Sequence, residues 1–165
     1  MFIYSVRGST LKFFVLIAAT LALLITLVSL GGQDAVYASV GDLRVNYGGM
    51  KTNEDRVSFI ESQGVLVKDE PTSESVFNSP DSFDRIISGY NEIQKAQGLD
   101  LTKYKGKRIT HYVYEVENFD HDGKVEVNLF VYKNRIIGAD VSSADGKSFV
   151  LPLVGIDASR LKQGA

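Results

Sequence analysis

The stretch VEVNLFVYKNRIIGADVSS, residues 125–143, decides the fold. Its first half alternates the aliphatic side chains of Val125, Val127, Leu129 and Val131 with polar and aromatic residues. A period of two is typical of a β-strand that lays one face on a core. The dipeptide KN then separates this run from a second one that is rich in branched residues, as in a tight hairpin. The stretch therefore predicts two antiparallel strands.

The same period continues on both sides of this hairpin. Residues 107–118, 124–133, 135–142 and 147–153 each carry β-branched and aromatic residues between turn signals. The turns read DHDG, KN and DG, all of which suit tight hairpins. Pro152 has no amide hydrogen to donate, so we expect the last strand at an edge of the sheet. The pattern predicts an antiparallel meander.

Two helices are expected before the meander. Thr52 is a good N-cap for the first helix, and Gly64 is suited to end it. The second helix is expected to have Ser79 as its N-cap and Pro80 at its first position, and to end at Gly98. Its apolar stripe consists of Phe83, Ile86, Ile87, Tyr90 and Ile93. The predicted fold class is α+β, with both helices packed on one face of the sheet.

An apolar run from Phe13 to Leu30 precedes these elements, and no acidic residue occurs among the first 33. A helix of this length rises roughly 27 Å, close to the bilayer's hydrocarbon core of about 30 Å. Arg7 and Lys12 come before the run, so the positive-inside rule places the N-terminus in the cytoplasm and the remainder outside. We expect an uncleaved transmembrane anchor in the cell membrane. The alternative is a signal cleaved after Ala38, which would release a secreted protein.

These features divide the chain into five parts. They are a cytoplasmic N-terminus (1–12), a transmembrane anchor (13–30), a stalk (31–51), an extracytoplasmic α+β domain (52–154) and a loose tail (155–165). The chain has 18 basic and 20 acidic residues, a balance that gives no reason to expect nucleic acid as a partner. It has no cysteine, which excludes disulfides, thiolate metal sites and a cysteine nucleophile.

Two segments of the outer domain resemble a known family. YNEIQKAQGLDLTKYKGKRITHYVYEVENF, residues 90–119, and VNLFVYKNRIIGADVSS, residues 127–143, resemble the bacterial domain of unknown function numbered 4830. The resemblance extends over roughly residues 52–150. It departs at Ala139 and Ser142, where the family has a glycine and often a cysteine. The family occurs in Firmicutes and has no assigned activity, so the resemblance implies a Gram-positive cell envelope and no particular reaction.

The stretch NFDHDGKVE, residues 118–126, is a candidate metal site. Asn118, Asp120 and Asp122 stand two residues apart and a glycine follows, as at the start of a calcium-binding loop. A complete loop also needs a glutamate at its twelfth position, where this chain has Leu129. The alternative is a polar hairpin turn, and we expect no cofactor.

A second candidate site is the basic cluster formed by Lys103, Tyr104, Lys105, Lys107 and Arg108. Exposed cations beside aromatic rings can hold an anionic polymer, a carbohydrate or lipid headgroups. The alternative is a solvated segment that leads into the next strand, with the tyrosine packed on the core.

Polar residues on the second helix form a third candidate. Tyr90, Asn91 and Gln94 lie on or beside its apolar stripe. They could line a ligand-binding groove, or they could form hydrogen bonds that attach the following loop to the helix.

No pattern in the sequence predicts a catalytic mechanism, since it contains neither a G-x-S-x-G motif nor a glycine-rich phosphate loop. We therefore expect a non-enzymatic, membrane-anchored binding or sensing module at the cell envelope. Its expected partners are the lipid bilayer, through residues 13–30, and an anionic envelope polymer or another membrane protein.

Two other functions stay open at this stage. A structural or assembly partner of a membrane protein would expose an apolar patch around Tyr112, Tyr114 and Tyr132. An envelope hydrolase would use paired carboxylates from among Glu115, Glu117, Asp120 and Asp122.

Overall fold

The computed structural model describes residues 45–162. It contains two helices, α1 (Asn53–Glu61) and α2 (Arg85–Lys95), and two short 3-10 turns, Leu101–Tyr104 and Ala158–Arg160. It also contains five strands, β1 (Ser73–Asn78), β2 (Arg108–Glu115), β3 (Val125–Tyr132), β4 (Arg135–Ser143) and β5 (Val150–Pro152).

The five strands form one antiparallel sheet in the order β1-β2-β3-β4-β5. The predicted α+β class and the meander are therefore confirmed. Lys133 and Asn134 join β3 to β4 with φ angles of 47° and 60°, and two successive positive φ angles are those of a type I′ hairpin turn. β5 lies at an edge of the sheet, as Pro152 indicated.

The expectation that both helices share one face of the sheet is wrong. Phe59 and Ile60 of α1 pack in a cluster that includes Leu129 of β3. Tyr90 of α2 packs in a different cluster with Phe130, the next residue of β3. Consecutive strand residues point to opposite faces, so the helices cover opposite faces, here called the α1 face and the α2 face. The sequence pattern hides the second core because Phe130 stands among polar residues.

Both helices begin at a side-chain cap, but only the first begins where the sequence predicted. The Thr52 side chain accepts from the amide of Asp55, whose carboxylate accepts from the Thr52 amide in return, forming a capping box. The N-cap of α2 is Asp84, which accepts from two helical amides. The predicted cap, Ser79, instead extends the sheet, since its amide donates to the oxygen of Lys107.

Residues on both sides of the segment 52–154 also contribute to the folded domain. Tyr47 is buried, and its main-chain carbonyl oxygen accepts from the amide of Ile136 at 2.8 Å. On the C-terminal side, the amide of Lys162 donates to the main-chain carbonyl oxygen of Asn118 at 2.7 Å. The domain therefore includes part of the segment expected as a stalk and part of the segment expected as a tail.

None of the helices within residues 45–162 combines the length and the apolar character needed to cross a membrane. The expected anchor at 13–30, the cytoplasmic segment 1–12 and the possible cleavage site after Ala38 lie outside the described residues. These stay predictions.

Candidate functional site: the basic end of the sheet

Basic side chains gather at the end of the sheet where β2 begins and β3 turns into β4. Arg108 at the start of β2 pairs with Asn78, and Arg135 at the start of β4 pairs with Tyr132. The 3-10 turn that precedes β2 adds further lysines to the same end. We call this surface the basic end and define it by six exposed residues, Lys103, Lys105, Lys107, Arg108, Lys133 and Arg135.

Aromatic rings lie among these cations. The ring centroids of Tyr104 and Tyr132 are 5.6 Å apart in an edge-to-face arrangement. The amine of Lys133 lies 5.4 Å from the centroid of the Tyr132 ring, and that of Lys105 lies 5.1 Å from the centroid of Phe83. Because ring faces attract cations, these contacts hold two of the amines near the surface of the domain.

The cations of the basic end form no ion pair with any other residue between 45 and 162. The ion pairs within this range all involve residues outside the basic end. At the opposite end of the sheet the Glu115 carboxylate pairs with Lys68 at 2.8 Å and with Lys124 at 3.2 Å. The two ends therefore differ in electrostatics. Like charges that are exposed and unpaired create a positive potential that attracts anions.

The metal candidate lies at this opposite end, in the turn between β2 and β3. The side-chain oxygen of Asn118 accepts from the amide of Leu66 at 2.8 Å, and its nitrogen donates to the oxygen of Gly64 at 2.9 Å. This side chain thus attaches the turn to the segment after α1. Asp120 lies 3.9 Å from Lys162, and Asp122 is exposed. Among the described residues, no three His, Asp or Glu side chains are placed to hold a metal ion.

The acidic residues considered for a hydrolase lie near the same turn. Glu115 is occupied by its two lysine partners, while Glu117 and Asp120 are exposed. The contacts of Glu115 are therefore ion pairs at the protein surface.

The three tyrosines considered as an apolar patch do not form one. Tyr114 is fully buried, and its hydroxyl accepts from Nε of Arg56 at 2.8 Å and donates to Asn53 at 2.9 Å. The Arg56 guanidinium also lies 3.8 Å from the centroid of the Tyr112 ring and covers it. Tyr132 projects from the other face of the sheet, because it alternates with the aliphatic residues of β3.

The polar residues of α2, and Gln97 just after the helix, make hydrogen bonds within the domain. Asn91 accepts from the amide of Leu101 at 2.8 Å and so attaches the following loop to the helix. Gln94 accepts from the amide of Ala139 at 2.8 Å, and Gln97 donates to the oxygen of Ala139 at 2.6 Å. These two glutamines satisfy the edge of β4 where β5 does not pair with it. All three side chains are buried.

The α2 face also holds a buried chain of hydrogen bonds that sequence analysis missed. The hydroxyl of Tyr90 donates to Asp140 at 2.5 Å. Asn128 donates to the other oxygen of Asp140 at 2.9 Å, and its own oxygen lies 2.8 Å from Nε2 of His111. We call these four residues the polar chain. The available signal was an aspartate inside the otherwise apolar run IIGADV of β4.

Burial shifts the titration of the polar chain. It raises the pKa of Asp140 to about 6, although hydrogen bonds from Tyr90 and Asn128 act in the opposite direction. It lowers the pKa of His111 to about 4, because the charged imidazolium is poorly solvated there. Burial also raises the pKa of Tyr90 well above its usual value. Such groups occur at functional sites and in structural networks alike.

A surface cavity of about 380 Å³ lies away from both the basic end and the polar chain. It is lined by Val45, Phe59, Gln63 and Val154, among others. Phe59 and Val154 belong to the core of the α1 face. The cavity therefore does not open onto Asp140 or His111.

Residues 71–141 match the family described as Domain of unknown function (DUF4830). No curated protein and no solved structure gives a match. The matched range begins just before β1 and ends inside β4, so it contains α2, the whole basic end and the whole polar chain. It is narrower than the range expected from the sequence and excludes α1 and β5. The resemblance seen in the sequence is therefore confirmed over residues 71–141, the segment that this chain shares with that family.

Proposed function

We propose that this chain is a membrane-anchored, extracytoplasmic binding module and that its basic end holds an anionic polymer of the cell envelope. The observation that carries the proposal is the group of six exposed cations at one end of the sheet, none of them in an ion pair with another described residue. The anchor expected at residues 13–30 supports a location at the outer surface of the membrane.

The arrangement of the cations favours a polymer over a small anion. They come from the 3-10 turn, the start of β2 and the turn between β3 and β4, so they are spread over the end of the sheet. A repeating anion can contact several such charges at once, whereas a single phosphate contacts only a few. The rings of Tyr104 and Tyr132 add an apolar surface between the charges.

The proposal is tested by measuring how the full chain, in a non-ionic detergent, binds a soluble polyphosphate. The test variant is Lys105→Glu/Lys133→Glu. The matched control is Lys147→Glu/Arg160→Glu, because these two residues are also exposed and without an ion pair among the described residues, yet lie outside the basic end. Both variants change the net charge equally.

Each cation near an anionic surface contributes on the order of 1 kcal/mol, and about 1.4 kcal/mol corresponds to a tenfold change in affinity. We therefore expect the test variant to bind at least about tenfold more weakly and the control to bind almost as the parent chain does. The affinity of the parent chain should fall as salt is raised, because salt screens exposed charges. Equal losses in the two variants, or no binding by the parent chain, would contradict the proposal.

A further inference from the structure

The two edges of the sheet are treated differently by the rest of the domain. At the β4 edge, Gln94 accepts from the N–H of Ala139 and Gln97 donates to its C=O, and Gly48 forms a bridge with Arg135. β5 covers the remainder of that edge. At the other edge, β1 pairs with β2 and with no other strand among residues 45–162.

The main chain of β1 presents a regular row of hydrogen-bonding groups at this open edge. The amide of Ser79 donates to Lys107 at 2.8 Å, in register with the pairing of β1 and β2. Inward and outward residues alternate in an antiparallel pair, so the N–H and C=O groups of Glu74, Val76 and Asn78 point away from β2. No backbone or side-chain group of the described residues bonds to them.

β1 lacks the features that normally protect an exposed edge strand. It contains no lysine and no proline, and Glu74 is its only charge. Every residue of the strand is exposed except Phe77, which is half-buried. Val76 is 49% exposed and is one of two large apolar side chains with such exposure in the described chain. Edges of this kind pair readily with another strand.

We propose that β1 pairs in antiparallel orientation with β1 of a second copy of this chain, with Val76 opposite Val76 on a two-fold axis. Glu74 of each copy then lies opposite Asn78 of the other. The outward groups of these three residues match one another in this register and form about six main-chain hydrogen bonds. The result is one sheet that runs through both copies. This interface lies beside the proposed anion site and shares Arg108 with it, so its test uses variants of Val76, which lies outside the basic end.

The register explains why a second copy fits better than an unrelated strand. Like charges do not meet, since the one charged residue faces a neutral amide, and the exposed valines bury each other. Arg108 neighbours Asn78 on the same face, so it comes near Glu74 of the second copy, which has the opposite charge. Pro71 and Pro80 bound the strand on both sides and limit the pairing to this segment.

Cross-linking tests the register directly, because the chain has no cysteine of its own. The test variant is Val76→Cys, treated with a short bis-maleimide in the full chain in non-ionic detergent. Leu66→Cys is the matched control, since Leu66 is 44% exposed but lies outside β1 and away from the proposed axis. We expect a covalent dimer from the Val76 variant and little from the control. Equal cross-linking of both variants would overturn the proposal.

Sedimentation of the full chain provides the second measurement. We expect the parent chain to be a dimer and Val76→Pro to be a monomer, because proline removes an outward N–H and no hydrogen bond to β2. Val76→Lys should also be monomeric, because it places like charges opposite each other on the axis. Far-UV circular dichroism shows whether each variant folds. If Val76→Pro does not fold, the oligomeric state of Val76→Lys decides the test. A parent chain that is monomeric at about 100 μM, where even weak pairs associate, would overturn the proposal. A dimer that persists in both folded variants would do so too.

Discussion

The two faces of the sheet are built from alternate residues of the same strands, yet they are held together by different chemistry. On the α1 face, Val127, Leu129 and Val141 are buried among other apolar side chains. On the α2 face, the residues between them include Asn128 and Asp140, which are tied into the polar chain. The sheet residues of the α1 face are therefore held mainly by apolar packing, whereas the α2 face combines an apolar cluster with a network of buried polar groups.

This difference has a consequence for how each face responds to acid. The apolar residues of the α1 face do not titrate, so their contribution to stability is the same at every pH. On the α2 face the folded protein shifts the pKa of both Asp140 and His111, and a shifted pKa makes stability depend on pH. The losses of unfolding free energy caused by mutations on the two faces should therefore differ in their pH dependence more than in their size.

The largest effect is expected on the α1 face, for Leu129→Ala. Leu129 is fully buried, so its truncation removes apolar contacts and leaves a cavity. We expect the free energy of unfolding to fall by about 2–5 kcal/mol, measured by urea denaturation, with the same loss at pH 4.5 and pH 6.5. Leu66→Ala is the control, since Leu66 is 44% exposed and should lose far less. A loss at Leu129 that changes strongly with pH would break the comparison between the faces.

The second prediction is that Asp140 and His111 make opposite contributions to the pH dependence. The pKa of Asp140 is raised from 3.8 to about 6, so its contribution to stability is present at low pH and is lost as pH rises from about 4 to 6. The pKa of His111 is lowered from 6.5 to about 4, so its contribution is present above pH 6.5 and is lost as pH falls to about 4. Each shift corresponds to roughly 3 kcal/mol.

Single variants should separate these two contributions. Relative to the parent chain, Asp140→Asn should gain stability by up to about 3 kcal/mol as pH rises from 4 to 6.5. His111→Phe, which keeps a ring beside Phe130, should show the opposite trend. Glu126, on the same face, also has a raised pKa and adds a trend of the same sign as Asp140, and its negative charge is one cause of the raised pKa of Asp140. Urea denaturation at several pH values measures these differences; parallel curves for both variants would refute the assignment.

Four of the five strands and the first helix were predictable because their signals are local, whereas β1 is absent from the predicted strands. Alternation in residues 125–131 and the KN turn depend only on neighbouring residues, as does the Thr52 cap. The start of α2 was not predictable, because Ser79 and Pro80 also suit the start of a helix. Only the pairing of Ser79 with Lys107 shows that the sheet continues there. Where the local sequence suits both a helix start and a strand end, the pairing with a distant strand determines which one forms.

The candidate site shows the same limit. Lys103 to Arg108 form a visible cluster in the sequence, whereas Lys133 and Arg135 join it only through the register of β2, β3 and β4. The partners of Asp140 are likewise distant in the chain, since Tyr90 is 50 residues away. The position of Asp140 was nevertheless a usable signal, because a charged residue in a buried strand requires a partner.

The smallest predicted effect is the sharpest test of the comparison, because each face has a buried tyrosine whose hydroxyl is hydrogen-bonded to a partner that bears a charge at pH 7. Tyr90→Phe removes the donor to Asp140, and Tyr114→Phe removes the acceptor from Arg56. Each should reduce the free energy of unfolding by about 1–3 kcal/mol at pH 7, since a buried polar group is left without its partner. At pH 4.5 the loss in Tyr90→Phe should shrink, because Asp140, with its pKa of about 6, is then protonated. The loss in Tyr114→Phe should not change, because arginine keeps its charge at both pH values. If both losses were independent of pH, the ionised form of Asp140 would not be what the Tyr90 hydroxyl stabilises.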